Sequence, residues 1–217
     1  MSEPHNVFPG PPDLLQFAST EHQQFFTNLV NCHEEIGILA ALHALYEAAL
    51  SNRTIGPGDA IILHLLIFVH YHFLFSSMTY MRAHSAEAFS STRVAIDATL
   101  IATHIIQDRA SQADYYNRKP PFLQMVRHYK NRIKDNKSLP HRLIPNLLQR
   151  YDLCSTYASH ADVNSFAHRT TITRGPDPML SFGYFQYPTD PMKHRRHFLF
   201  LLHSYVICLD LFSDFHS

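Results

Sequence analysis

The chain holds no tryptophan, only six glycines, three cysteines and no excess of charge of either sign. Each shortage closes off a class of chemistry. Phosphate-cradling and nucleophile-elbow motifs need glycine where the backbone turns tightly, and neither GxGxxG, a P-loop nor GxSxG occurs. Cys32, Cys154 and Cys208 form no CxxC, and each falls inside an apolar helical pattern. They read as buried free thiols of a reducing compartment. The opening residues, MSEPHNVFPGPPD, lack the charged-then-apolar pattern of a secretory leader, so the expected location is cytoplasmic. Lys plus Arg and Asp plus Glu both number 18. A protein that holds nucleic acid by a diffuse basic field carries an excess of cations, so any such contact here must be a local patch.

Metal signatures are missing too. No glutamate is followed by histidine three residues on, which removes the Glu-x-x-His pattern of a di-metal bundle. HExxH and a Cys/His zinc framework are absent. His70 and His72 face different ways on a helix, and His194 and His197 share a face but sit in KHRRH, among like charges. No metal and no cofactor is expected.

What the chain does have is apolar material. Of 217 residues 46% are hydrophobic and 17% charged, enough for one large domain with a core. Residues 1–12 hold four of the 13 prolines and read as an extended N-terminal arm ahead of a single helical-bundle domain over residues 13–217. Apolar positions from Phe26 through Ile36, Leu39, Leu42 and Tyr46 to Leu50 predict one long helix, capped by Ser19 or Thr20 and ended by SNRTIGPGD. A second helix, about Asp59 to Arg82, is apolar on nearly all sides and is expected at the centre of the bundle. A third runs from a cap at Ser85 to about Asp108, with Phe89, Val94/Ala95, Ala98, Ile101/Ala102 and Ile105 as its core stripe. After a polar connector, residues 121–138 read as a basic amphipathic helix. Phe122, Met125, Val126, Tyr129 and Ile133 form one face, and Arg127, Lys130, Arg132, Lys134 and Lys137 lie around the other.

A fifth helix starts near Pro140–Pro145, with Leu143, Leu147, Tyr151, Cys154, Ala158 and Ala161 as its stripe. In RTTITRGPDPMLSFGYFQYP the period changes, which fits a short β-hairpin near residues 170–187. A last helix covers about 191–213. The expected fold class is therefore mainly α, a single bundle of five to seven helices with that one hairpin. The stretches 60–75 and 197–212 look membrane-like, but each is near 16 residues, short of the ~20 a spanning helix needs. They are expected to be core helices, with no membrane span. Histidine is over-represented at 17 residues, which predicts a stability that responds to acid.

The chemistry-bearing residues gather in two places. Arg93 and Asp97 are one turn apart beside the apolar stripe of the third helix, where a charge needs partners. YDLCSTYASHADVNSFAHR (151–169) carries Ser155, His160 and Asp162 at the edge of a stripe of small residues. Ser155 and His160 lie about 140° apart around a helix axis, so this stretch is no self-contained hydrolase site, and any chemistry needs groups from another helix.

The pair AEAFSSTRVAIDATLIATHI and YDLCSTYASHADVNSFAHR resembles an uncharacterised bacterial all-helical domain family that is loosely HEPN-like. In that group an Arg-x-x-x-acid helix precedes a Ser-containing helix ending in His, a short strand pair and a last helix. The resemblance covers residues 85–213. It implies Arg93, Asp97, Ser155 and His160 as the matching polar positions. The HEPN nuclease motif, Arg then four to six residues then His, is matched by Arg196 and His203. What the resemblance implies is a dimeric protein of a bacterial stress or defence system, binding or cleaving RNA without metal. In a cleaving version His160 or His203 would act as general base or acid, and Arg93 or Arg196 would stabilise the phosphorane. The alternative is a non-enzymatic helical interaction module or a small apolar ligand binder, favoured by the 16 Phe and 11 Tyr. Whether the protein is an enzyme stays open at this level.

Overall fold

Amphipathic segments separated by glycine, proline and polar turns fold here into eight α-helices among the described residues of a computed structural model. Those residues are 14–51, 56, 58–158, 170–173, 179–182 and 191–213. In chain order they form α1 (Leu14–Asn31), α2 (His33–Leu50), α3 (Ala60–Met81), α4 (Ser85–Gln107), α5 (Gln112–Tyr116), α6 (Met125–Lys134), α7 (Ile144–Ala158) and α8 (Pro191–Leu211). Short 3-10 turns precede α5 and α6. The mainly helical class is as expected, and the helix number is higher than the five to seven expected.

Two features raise the number. The long first helix is two, divided at Cys32, whose backbone leaves the helical region at φ −111°, ψ 30°. Hydrogen bonds still run from Cys32 N to Asn28 O and from Ile36 N to Cys32 O, so the division is a kink within a nearly continuous rod. The apolar period carries across it unbroken, which is why spacing alone shows no boundary. The first helix also starts earlier than expected. Thr20 lies inside α1, with its hydroxyl donating back to Gln16 O, and caps nothing. The other addition is α5, five residues long.

α4 begins at Ser85 with His84 as its N-cap residue, and no side chain caps it. Ser85 is therefore the first residue of the helix, not its cap. The turn before it uses Ala83 at φ 65° to reverse the chain out of α3. Within the region expected as a hairpin, Thr170–Thr173 and Met179–Phe182 are described as β1 and β2. They pair antiparallel, Thr170 opposite Phe182 and Thr173 opposite Met179. Residues 174–178 and 183–187 lie outside the described residues, as does the N-terminal arm.

α4 is the hub. It packs along α3 and α7 and also against α6 and α8. Its buried face is built from small residues, among them Ala88, Thr92, Ala95, Ala98, Thr99 and Ala102. Small side chains let neighbouring helix axes come close, and the threonine hydroxyls are satisfied within the helix. Thr92, Thr99 and Thr103 each donate to the carbonyl four residues back.

α3, expected at the centre, is covered by α1, α2, α4 and α8 but leaves one side in solvent. Ile67, Phe68, Tyr71 and Phe75 are all exposed there. The apolar stretch 60–75 lies within a helix of the length expected from about Asp59 to Arg82. α3 runs for 22 residues and is long and apolar enough to cross a membrane, with 44% of its most apolar window buried inside the fold.

Tyrosines tie α2, α3 and α8 together. Tyr46 OH donates to Tyr205 O (2.8 Å), Tyr205 OH to His72 O (2.9 Å) and Tyr80 OH to His194 O (2.9 Å). Ser76 Oγ in turn donates to the Tyr205 hydroxyl at 3.0 Å. The rings of Tyr46, Phe73 and Tyr205 pack in series, with centroids 5.4 and 5.2 Å apart. Replacing Tyr205 by Phe keeps the ring and strips both hydroxyl contacts. It should lower unfolding free energy by about 1–2 kcal/mol in chemical denaturation.

Burial lowers the pKa of six imidazoles, those of His70, His72, His104, His128, His194 and His203. For His194 the value falls to about 4. Unfolded histidine titrates near ~6.5. Below that pH the unfolded chain takes up protons that the folded chain refuses, so stability is lost progressively as pH falls from ~6.5 toward the folded values. A melting temperature measured from pH 7.5 to pH 5 should therefore drop steadily below ~6.5; a flat profile would contradict the burial of these rings.

Candidate functional site

The expected polar residues divide between two helix seams. At the first, α4 meets α7. Arg93, half-buried on α4, places its guanidinium carbon 5.8 Å above the ring of Tyr151 on α7. Asp97 follows one turn later, also half-buried, and desolvation raises its pKa against the opposing pull of Arg93. Ser155, one turn beyond Tyr151 and half-buried, donates its hydroxyl to Tyr151 O at 2.8 Å. Arg93 thus meets the Tyr151 ring across the seam, while Ser155 bonds the Tyr151 backbone carbonyl within α7. His160 and Asp162 lie outside the described residues.

The second seam joins α7 to α8, and a residue the sequence reading did not single out organises it. Arg150 donates through Nε to Asn146 Oδ1 (2.9 Å). Its Nη1 donates to Phe200 O (3.0 Å) and to Ser204 Oγ (3.1 Å). Its Nη2 donates to His203 Nδ1 (2.9 Å). The guanidinium carbon sits 4.6 Å over the Phe200 ring. A guanidinium is always a donor, so His203 Nδ1 must accept and the ring proton resides on Nε2. Desolvation, and then the charge of Arg150, lower the His203 pKa. His203 is a neutral imidazole whose one lone pair is already taken.

Arg196, its expected partner two turns earlier on α8, is exposed. Among the described residues Arg196 and His203 share no hydrogen bond. A signal for Arg150 does exist in the sequence. It lies three residues after Leu147 and four before Cys154, so it borders the buried stripe of α7, where a cation needs acceptors from a neighbour.

Beneath this seam Cys154 and Cys208 are buried, and burial pushes both thiols up to about 12. Cys32, at the α1–α2 kink, rises to about 11 for the same reason, with Glu35 adding to it. None of the three is a thiolate at neutral pH, so none offers a ready nucleophile. Among the described residues no group of three or more His, Cys, Asp or Glu converges where a metal ion could sit. His194 is buried and stacked on Tyr80, centroids 4.7 Å apart, while His197 lies edge-on to Tyr157; each ring serves packing.

A third arrangement is a basic strip on α6. Arg127, Lys130 and Lys134, three and then four residues apart, share one helical face and are exposed. On the opposite face Met125 and Tyr129 are buried. Arg132 is turned aside, donating through Nε to Ser138 O (3.1 Å). Lys130 pairs with Asp152 on α7 at 2.6 Å, and Lys137 with Asp135 at 3.0 Å. Arg118, Arg127, Lys134 and Arg142 are exposed and enter no ion pair among the described residues.

The Arg150–His203 contact makes a checkable statement about proton position. Long-range proton–nitrogen NMR should show His203 as the Nε2–H tautomer with a pKa below the ordinary ~6.5. In Arg150→Met that pKa should rise toward the ordinary value and the tautomer preference should relax. Compared with models of known protein families, with curated proteins and with solved structures, the chain matches none.

Proposed function

We propose that this is a helical RNA-binding protein that holds the phosphate backbone on the basic strip of α6 and the turns beside it. The observation that carries the reading is how cations are distributed in a chain whose total charge is zero. Nine of the 18 Lys and Arg fall between residues 109 and 142, against the two carboxylates Asp114 and Asp135. The rest of the chain is correspondingly acidic. On the exposed face of α6 Arg127 and Lys134 stand two turns apart, about 10 Å along the axis, and neither enters an ion pair among the described residues.

The resemblance to HEPN-like domains of stress and defence systems agrees with an RNA ligand. Binding is favoured over cleavage by the state of His203. With Nδ1 engaged by Arg150 and the pKa lowered, the ring has no lone pair to act as base and no extra proton to give as acid.

Fluorescence anisotropy with labelled single-stranded RNA tests the proposal. Affinity should fall as salt rises, since each neutralised phosphate releases a counterion, with a slope of roughly −0.7 per phosphate contacted. Arg127→Glu combined with Lys134→Glu and Arg142→Glu should weaken binding at least about 10-fold and flatten the salt slope. No binding at low salt, or binding indifferent to these reversals, would refute it. In the same samples with EDTA the RNA should stay intact; cleavage abolished by His203→Ala would restore the nuclease reading.

A further inference from the structure

The seam between α4 and α6 encloses polar groups that the fold itself does not use. His104 of α4 lies edge-on to three rings: Phe122 at 5.3 Å between centroids, His128 at 5.4 Å and Tyr129 at 6.4 Å. His128 and Tyr129 in turn lie 5.3 Å apart on α6. Tyr129 is fully buried, yet its hydroxyl has no hydrogen-bond partner among the described residues, and neither has the enclosed Nε2 of His128. A buried donor left unpaired costs about 1–3 kcal/mol. Tyr46, Tyr80 and Tyr205 are buried as deeply, and each donates to a backbone carbonyl. Tyr129 departs from that rule, which points to a partner outside the chain.

The surrounding charge says what kind of partner. Arg132 gives Nε and Nη2 to Ser138 O, and its charge is felt at His104, His128 and Tyr129 alike. Lys137 acts on His128 as well. Asp108 is the carboxylate on the α4 side, and it acts at His104. Burial, more than these charges, lowers both imidazoles from the ordinary value, so the rings are neutral at pH 7. A metal ion is a poor fit, because two cations stand beside the rings and no group of three His, Cys, Asp or Glu converges. Donors gathered among cations suit an anion.

We propose that this cluster binds a phosphate monoester through the Tyr129 hydroxyl, the imidazoles of His104 and His128 and the Arg132 guanidinium. A monoester offers three strong acceptor oxygens and close to two negative charges. It also enters a half-buried seam by one end, whereas an internal diester has chain leaving on both sides. Resting on the RNA reading above, the ligand is the phosphorylated end of a strand whose backbone lies on Arg127 and Lys134. His128 follows Arg127 directly, so the strip and the seam share a border on α6. Binding takes up a proton, because the anion restores the charged form of an imidazole that burial had kept neutral. Affinity therefore rises as pH falls from 7.5 to 6.5, by up to about 10-fold for one proton bound.

Inorganic phosphate is the first probe, with chloride at equal ionic strength as the control. Proton–nitrogen NMR of the full chain should show the His104 and His128 rings responding together, with pKa values that rise as phosphate is added. Tyr129→Phe is the decisive variant, since it removes a hydroxyl with no partner in the fold. Its melting temperature should not fall, while its phosphate affinity should drop at least about 10-fold. In competition anisotropy, RNA carrying a 5′- or 3′-phosphate should displace a labelled strand at least about 10-fold better than the same RNA with hydroxyl ends. Tyr129→Phe should erase that preference and leave hydroxyl-ended RNA unaffected. Rings that respond no more to phosphate than to chloride, or a Tyr129→Phe protein with undiminished phosphate affinity, would overturn the site. Phosphate binding without RNA binding would uphold the site and sink the RNA reading instead. RNA binding blind to its end group, beside phosphate binding that Tyr129→Phe weakens, would keep the site and overturn the strand end as its ligand in favour of free phosphate.

Discussion

A polar group trapped between packed helices must find a partner or pay for its lost hydration, and this requirement sets the details of the bundle. The buried tyrosines of α2, α3 and α8 meet it by donating to backbone carbonyls across helix boundaries, which fixes how far each helix can slide along its neighbour. The threonines of α4 meet it within their own helix. Arg150 meets it by engaging two side chains and a carbonyl of α8 together with its own Asn146. Arg195 does the same between α8 and α2, donating to Glu35 at 2.7 Å and pairing with Glu34. The far oxygen of Glu35 and Nε2 of His194 at the α2–α8 contact, like His128 Nε2 and Tyr129 OH on α6, are buried with no hydrogen-bond partner among the described residues.

The same economy shapes electrostatics outside the core. Cations that serve the fold are spoken for: Arg93 on Tyr151, Arg150 on α8, Arg195 on the α2 glutamates. Those left over are concentrated on α6 and the turns beside it, where the helix lies on the outside of α4 and α7 and only its apolar side is engaged. A neutral chain can in this way carry a strongly polarised surface, which a whole-chain charge balance conceals.

Much of this architecture is legible in the sequence, and the exceptions have physical reasons. Helical periodicity places α3, α4, α7 and α8 within a few residues, because each has a long apolar stripe bounded by turn residues. The kink at Cys32 leaves no trace, since the stripe of α1 runs on into α2 and the backbone change involves one residue. The depth of α3 was misjudged because an all-round apolar helix was taken to need cover on every side; Tyr71 and Phe75 show that one side stays open. Of the site residues, Arg93, Asp97 and Ser155 could be placed on facing seams from their positions beside apolar stripes. The partner of His203 could not, because Arg150 is 53 residues away and only the packing of α7 on α8 brings them together.

The cysteines have a use that their inertness creates. Cys32 sits at the kink between α1 and α2, Cys154 faces inward from α7 and Cys208 from α8, and all three are fully enclosed with thiols held in the protonated form. A thiol reagent in the surrounding solution reaches each one only when the helix that shields it swings clear. The three sulfurs are thus natural clocks, one for each region of the bundle, and the order in which they are captured records the order in which the molecule comes apart.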